Sequence, residues 1–148
     1  MSRRSRRLTG IAALVVVAAG ALAAAPDDEP DVVVVQPVLI AFKGSLPAKQ
    51  VDRSKKEARA LAEELFEQAQ AEDADFDAMV KQYTSDSYPG VYKLTNHDAP
   101  ITGGAYQRKE MATRFGDVAF KLEVGEVGLA AYSVTASPYG WHIIKRLE

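Results

Sequence analysis

The chain contains no cysteine, and this absence excludes several kinds of chemistry together. Disulfide bonds, thiolate zinc sites, a cysteine nucleophile and a lipid-modified cysteine all need a thiol. Histidine is scarce as well, since only His97 and His142 occur and neither stands in an HxxxH spacing. The sequence therefore predicts neither a metal site nor a cofactor, and any chemistry must use oxygen atoms, imidazole or apolar surface.

An excess of positive charge is also missing. The 148 residues carry 18 basic and 20 acidic side chains, a net charge of −2. Four arginines lie in the first seven residues, and the rest of the chain has 14 basic and 20 acidic side chains, a net charge of −6. A surface of this sign repels phosphate backbones, so nucleic acid is not an expected partner.

The first 25 residues have the three parts of a secretory signal: a basic head, an apolar stretch and small residues before a cleavage point. Ala21 and Ala23 favour cleavage after Ala23, which predicts a periplasmic or secreted protein. The alternative is an uncleaved membrane anchor formed by residues 8–25, because this stretch approaches the roughly 20 residues that span a bilayer. We expect a signal peptide over 1–23, an acidic, mobile linker over 24–31 and one domain over 32–148.

Hydrophobic periodicity predicts the elements of this domain. Residues 31–42 are dense in β-branched side chains and indicate a strand, in which Pro37 marks an edge or a bulge. Apolar residues at three- and four-residue spacing predict a helix over 53–71, and a second helix begins near Asp73 or Asp75. Residues 84–104 have the composition of a long loop.

The last third of the chain predicts one or two short helices over 108–122, followed by two strands over 128–135 and 140–147. A tight connection at 137–140 is expected to join these strands. Since strands and helices do not alternate regularly, the order favours an α+β fold, with helices packed on a small antiparallel sheet.

His142 lies in the final strand, SPYGWHIIKRL, among bulky apolar residues. Side chains alternate along a strand, so His142 is expected on the same face as Ile144 and opposite Trp141 and Ile143. The residues alone are compatible with a core histidine whose ring nitrogens bond to backbone or hydroxyl groups. A functional imidazole is the alternative, which the residues alone favour less.

Five segments favour the functional interpretation because their order along the chain resembles the motifs of parvulin-type peptidyl-prolyl cis–trans isomerases. Together they span nearly all of residues 32–148. They are the opening strand Val38–Gly44, the turn Gln82–Ser87, the glycine-led segment Gly103–Tyr106, the run Met111–Val127 and the closing strand Tyr139–Lys145.

The resemblance implies a parvulin-like (FKBP-like) α+β fold with about three to four helices, no cofactor, and unfolded or partly folded proline-containing polypeptides as partners. It assigns Met111 and Phe115, expected four residues apart on one helix, to the floor of a cavity for the proline ring. Asp86 and His142 would share a catalytic hydrogen-bond network, with Ser137 or Tyr139 at the rim. Without the resemblance, Met111 and Phe115 are ordinary core residues, and Asp86 is a turn residue.

These residue types suit the reaction. Rotation about an amide is opposed by about 18–20 kcal/mol because twisting destroys resonance. A catalyst breaks no bond and needs only to favour the twisted amide, which an apolar cavity with a few polar groups can do.

One position departs from the family pattern. Relatives usually carry a second histidine at the start of the opening strand, where this chain has Pro37, so a histidine pair cannot form. The first hypothesis is an exported isomerase, whose activity the loss of this histidine would reduce. The second is a non-catalytic, chaperone-like domain that binds proline-containing segments, and the third is a purely structural module. His97 and the basic cluster formed by Lys43, Lys49, Arg53, Lys55 and Lys56 are expected to be solvated.

Overall fold

A computed structural model describes residues 29–148. The expected signal peptide, and residues 24–28 of the expected linker, lie outside the described residues. Residues 29–148 contain three α-helices: α1 (Lys55–Ala69), α2 (Phe76–Tyr83) and α3 (Thr113–Ala119). A 3₁₀ helix, Arg108–Glu110, precedes α3. The strands are β1 (Val32–Ile40), β2 (Tyr92–Thr95), β3 (Tyr106–Gln107), β4 (Val127–Ala130) and β5 (Trp141–Arg146).

The five strands form one sheet in the order β3-β2-β1-β5-β4. Strand β1 is antiparallel to both β2 and β5, and β5 is antiparallel to β4. The two-residue strand β3 pairs with β2 in parallel, so the sheet is mixed rather than purely antiparallel. The predicted α+β class is confirmed, with α1 and α2 on one face of the sheet and α3 on the other.

Two apolar clusters hold these layers together. Val38, Ile40 and Ile143 pack with the buried side chains of α1 and α2, whereas Val33 and Ile144 pack with those of α3. Strand β1 therefore contributes to both cores, which explains why its sequence is almost continuously apolar.

Side-chain caps define where α1 and α2 begin. Ser54 accepts a hydrogen bond from the Glu57 amide, and the Glu57 carboxylate accepts one from the Ser54 amide. Asp75, one of the two predicted starts of the second helix, accepts a hydrogen bond from the Ala78 amide at 3.0 Å. Each such cap contributes about 1 kcal/mol, so these residues stop the helices from extending into the preceding loops.

Pro37 lies in the central strand, yet it occupies a local edge as predicted. Strand β2 pairs with β1 only as far as Val35, and beyond that point β1 pairs with β5 alone. The amides of Leu39 and Ala41 point away from β5 and donate to hydroxyl groups of the segment after α2. Pro37 lies two residues before Leu39, so its backbone nitrogen also points away from β5. Its missing N–H therefore removes no hydrogen bond between strands.

Two sequence-based boundaries were wrong. The stretch 84–104 is not all loop, because Tyr92–Thr95 forms β2 against Val32–Val35. Strand β4 ends at Ala130, and residues 131–140 connect it to β5 in place of a tight 137–140 turn. This connection ends at Gly140, whose φ of +140° and closeness to the Ile40 carbonyl exclude a side chain.

The end of the expected linker, residues 29–31, is bound to the domain. Glu29 pairs with the buried guanidinium of Arg108, which also binds Asp117 and Asn96. The Asn96 amide donates to the Asp31 carbonyl. Residues 29–31 are therefore tied to the domain, contrary to the mobility expected for this part of the linker. Between residues 29 and 148, no helix has the length and apolar character needed to span a membrane.

Candidate active site

A cavity of about 350 Å³ opens beside β1 and β5 on the face of the sheet that carries α3. Its wall combines the second half of β1, two loops, the start of β2, the segment leading into α3 and the start of β5. The lining residues are Pro37, Leu39, Leu46, Pro47, Ala48, Lys49, Ser85, Asp86, Tyr92, Glu110, Met111, Ala112, Phe115, Tyr139 and His142.

His142 enters this cavity from β5. It pairs with Leu39 of β1 in the sheet, and its side chain lies on the face of Ile144, as the strand alternation predicts. The imidazole is buried and meets the Phe115 ring edge-on, with the ring centroids 5.1 Å apart. Packing against Phe115 thus fixes the orientation of the imidazole.

Burial controls the charge of His142. Because an imidazolium loses its hydration in this position, the pKa of His142 falls from 6.5 to about 4, even though the Asp86 carboxylate opposes the change. The imidazole is therefore neutral at pH 7. Within residues 29–148, its Nδ1 is the one buried side-chain nitrogen or oxygen without a hydrogen-bond partner. The hydroxyl and backbone partners expected for a core histidine do not reach it.

Met111 and Phe115 both line the cavity, but they do not share a helix. Met111 ends the 3₁₀ helix in an extended conformation, and α3 starts two residues later at Thr113. The expected spacing on one helix was therefore wrong, although both side chains reach the same floor. Phe115 is buried and belongs to the core beneath the sheet, so the floor is continuous with the hydrophobic core.

Asp86 reaches the cavity because Thr84 and Ser85 hydrogen-bond along the free edge of β1, where a neighbouring strand would otherwise pair. The Thr84 hydroxyl accepts from the Leu39 amide, and the Ser85 hydroxyl accepts from the Ala41 amide, both at 3.2 Å. The Ser85 amide donates to the Leu39 carbonyl at 2.7 Å. These bonds satisfy the free edge of β1 beyond β2 and hold Asp86 at the mouth of the cavity.

The expected hydrogen-bond network between Asp86 and His142 is not present among the described residues. Asp86 instead accepts a hydrogen bond from the Tyr92 hydroxyl at 2.9 Å. Burial and this bond raise the pKa of Tyr92 to about 12, so its hydroxyl stays protonated. Asp86 influences His142 through charge alone.

The two expected rim residues have different positions. The half-exposed Tyr139 lines the cavity, and its carbonyl accepts from the Ser45 hydroxyl at 2.9 Å. Ser137 does not line the cavity, because it is fully buried and its hydroxyl donates to the Gly140 carbonyl at 3.1 Å. Ser137 shapes the connection before β5, and its expected place at the rim was wrong.

Pro37 lies on the cavity wall at the place where the family pattern has a histidine. It pairs with Ile144 while Leu39 pairs with His142, so positions 37 and 142 are diagonal neighbours on one face of the sheet. An imidazole at position 37 could reach His142. The pyrrolidine ring cannot donate or accept a hydrogen bond there, which is consistent with the unpartnered Nδ1.

The basic cluster is largely solvated, as expected: its four lysines are exposed, and Arg53 is half-buried. Lys49 donates to the Ser85 carbonyl, Arg53 donates to the Ala41 carbonyl, and the Lys55 ammonium lies over the Phe42 and Tyr132 rings. His97 is exposed, as expected. No group of three or more potential metal-ligating side chains occurs in the part of the chain that the structure describes.

Sequence patterns missed two parts of the cavity. The loop Leu46–Lys49 forms one wall, and it lacks the periodicity that would have revealed it. Tyr92 also lies outside every motif considered. A signal for Tyr92 existed, since a tyrosine in the four-residue stretch YKLT is typical of a strand.

Comparison with solved structures shows the same fold in two other proteins. Peptidyl-prolyl isomerase ESS1 from Candida albicans superposes with a TM-score of 0.57 and 19% identity, over 80% of this chain and 63% of its own. The solution structure of TbPIN1 gives a TM-score of 0.58 and 18% identity, over 80% of this chain and 98% of its own. No curated protein matches the chain by sequence.

A family model gives the assignment. The model of the PPIC-type PPIase domain matches residues 23–148, which is most of the chain and contains every residue of the cavity. The sheet and the three helices of residues 29–148 agree with that match. The chain therefore belongs to the PPIC-type peptidyl-prolyl cis–trans isomerase domain family.

Proposed function

We propose that this protein catalyses cis–trans isomerisation of Xaa-Pro bonds in unfolded or partly folded proteins outside the cytoplasm. The observation that carries the proposal is the convergence of Asp86, Met111, Phe115, Tyr139 and His142 on one cavity. These residues come from three separate parts of the chain. A merely structural role for each would not require them to meet around an open space.

The floor supplies the binding. Met111 and Phe115 offer an apolar surface to the proline ring, and the floor opens on the side of β1 and β5. An Xaa-Pro segment seated there loses part of its hydration at the amide. Removal of water strengthens every electrostatic interaction with the amide dipole, so the polar groups at the rim act with greater effect.

The rim supplies the selectivity for the twisted amide. In the planar amide, resonance places partial negative charge on the carbonyl oxygen, and twisting removes much of that charge. The Asp86 carboxylate repels the oxygen of the planar form more than that of the twisted form. His142 is neutral at pH 7 and does not offset this repulsion. The difference between the two forms lowers the rotational barrier.

A second function is favoured by Pro37. With no partner for Nδ1 of His142, the cavity keeps its apolar floor and lacks part of its polar network. The domain would then hold proline-containing segments without rapid turnover, as a chaperone-like binding module. Loss of an outer hydrogen-bond partner at other sites lowers activity by about 10- to 100-fold, which sets the scale of the expected reduction.

Export belongs to this proposal through the N-terminal sequence. The basic head and apolar stretch over residues 1–23 support secretion followed by cleavage after Ala23. Intact-mass measurement of the protein purified from the producing cell tests this part. A chain starting at Ala24 supports export, and a chain starting at Met1 in a membrane fraction supports the anchored alternative.

A coupled isomerisation assay on a short Xaa-Pro peptide tests the activity. Wild-type protein should accelerate the cis–trans step, and Met111→Ala should lower kcat/KM by about tenfold because the floor loses most of one side chain. Val124→Ala is the matched control, since Val124 is 62% exposed and does not line the cavity. Peptide binding without acceleration would support the holding function, and neither binding nor acceleration would refute both.

A further inference from the structure

Tyr92 connects the two chemical parts of the cavity. At the start of β2, its hydroxyl donates to Asp86 Oδ2 at 2.9 Å, while its ring meets the Phe115 ring edge-on at 6.2 Å. One side chain therefore contacts both the acid at the rim and the apolar floor. The motifs that resemble the family include Asp86 and Phe115 and leave Tyr92 without a role.

We propose that Tyr92 is a positioning residue for the isomerisation, and that its hydroxyl holds the Asp86 carboxylate at the mouth of the cavity. This inference rests on the proposed function of the cavity as an isomerase site. The Tyr92 hydroxyl orients Asp86 through its hydrogen bond, because His142 does not bond to Asp86 in this protein.

The surroundings of Asp86 explain why such a residue is needed. Asp86 is exposed, and its backbone is held by the Thr84 hydroxyl. Within residues 29–148, the Tyr92 hydroxyl is the one hydrogen-bond donor to its carboxylate. Without that donor the carboxylate is free to rotate into solvent, where water screens its charge. Its repulsion of the substrate carbonyl oxygen would then decrease.

Tyr92 is well suited to this task. Its ring is wedged between the Phe115 and Tyr106 rings, with centroids 6.2 and 5.8 Å away, so the hydroxyl points from a fixed position. Burial, together with the bond to Asp86, raises the pKa of Tyr92 to about 12, so the hydroxyl remains a donor at neutral pH. Strand β2 thus contributes to the site as well as to the sheet.

A double-mutant cycle with Tyr92→Phe and Asp86→Ala tests the proposal. Tyr92→Phe keeps the ring in the floor, so kcat should fall about fivefold, the scale of one hydrogen bond, while KM changes little. In the Asp86→Ala background the same change should have no further effect, because there is no carboxylate to hold. Tyr88→Phe is the matched control: the Tyr88 hydroxyl also donates to a carboxylate, Asp77 Oδ2 at 2.8 Å, but Tyr88 does not line the cavity, so kcat should stay unchanged.

Two results would overturn the role of Tyr92 and leave the isomerase function intact. They are an active Tyr92→Phe protein with wild-type kcat, and a Tyr92→Phe effect of equal size with and without Asp86. A wild-type protein that does not accelerate the peptide would overturn the isomerase function itself, and with it the role of Tyr92.

Discussion

Acidification should destabilise this protein through one buried side chain, His142. The imidazole is neutral in the folded state because burial lowers its pKa from 6.5 to about 4. In the unfolded chain the same group takes up a proton as soon as the pH falls below about 6.5. Between these two pKa values the unfolded state binds more protons than the folded state, so stability is full above pH 6.5 and falls as the pH decreases.

The size of the effect follows from the two pKa values. Each pH unit in this interval removes about 1.4 kcal/mol of unfolding free energy per group. Between pH 6.5 and pH 4, His142 alone should therefore remove about 3 kcal/mol. This is a large part of the stability of an ordinary domain, which is about 5–15 kcal/mol.

Urea unfolding of the wild-type protein and of His142→Leu at several pH values between 7.5 and 4 measures this effect. The leucine variant does not titrate and lacks the unpartnered Nδ1, so it should be about 1 kcal/mol more stable than wild type at pH 7.5. That advantage should grow to about 4 kcal/mol at pH 4. Asp77, whose pKa is lowered by the hydrogen bond from Gln36, is present in both proteins and cancels in the difference.

His97→Gln is the control for the loss of a histidine as such. His97 is exposed, so this variant should follow the wild-type pH dependence. If His142→Leu and wild type lose stability in parallel on acidification, then His142 is not buried as a neutral group, and our account of the electrostatics of the cavity is wrong.

Other substitutions test other parts of the structure. Pro37→His places an imidazole diagonal to His142 and should raise kcat/KM by about tenfold in the isomerisation assay; unchanged activity would show that the cavity does not use a histidine pair. Gly140→Ala should lower the unfolding free energy by about 3 kcal/mol in urea, because the added Cβ overlaps the Ile40 carbonyl; a loss below about 1 kcal/mol would contradict that close approach. Glu29→Gln should lower it by about 1 kcal/mol by weakening the pair with Arg108, and an unchanged midpoint would show that Glu29 does not anchor the N-terminal segment.

The order of most elements could be predicted because their signals are local. The apolar stripe of α1, the Asp75 cap of α2 and the alternation that places His142 beside Ile144 all depend on neighbours in sequence. Strand β2 offers only a weak local signal, the tyrosine of the stretch YKLT. Its four residues lie between turn-forming segments, and they become a strand because Val32–Val35 offers an unpaired edge.

In the site, too, some features could be predicted from local sequence and others could not. The motifs placed Asp86, Met111, Phe115 and Tyr139 at one site, and all four line the cavity, but the contacts between side chains depend on packing in three dimensions. The partner of Asp86 is Tyr92, which is six residues away along the chain and belongs to the strand that was missed. Ser137 was predicted at the rim because it belongs to a motif. In the structure its hydroxyl donates to the carbonyl of Gly140, which itself packs closely against β1.

Exchange NMR on a Xaa-Pro peptide, with a small amount of the wild-type protein, tests most directly whether the cavity isomerises proline bonds. We predict cross-peaks between the cis and trans forms that the free peptide does not show on the same timescale, together with shifts in the protein confined to residues around Met111, Phe115 and His142. A peptide that exchanges no faster with the protein than without it, while those protein signals stay unmoved, would contradict the account.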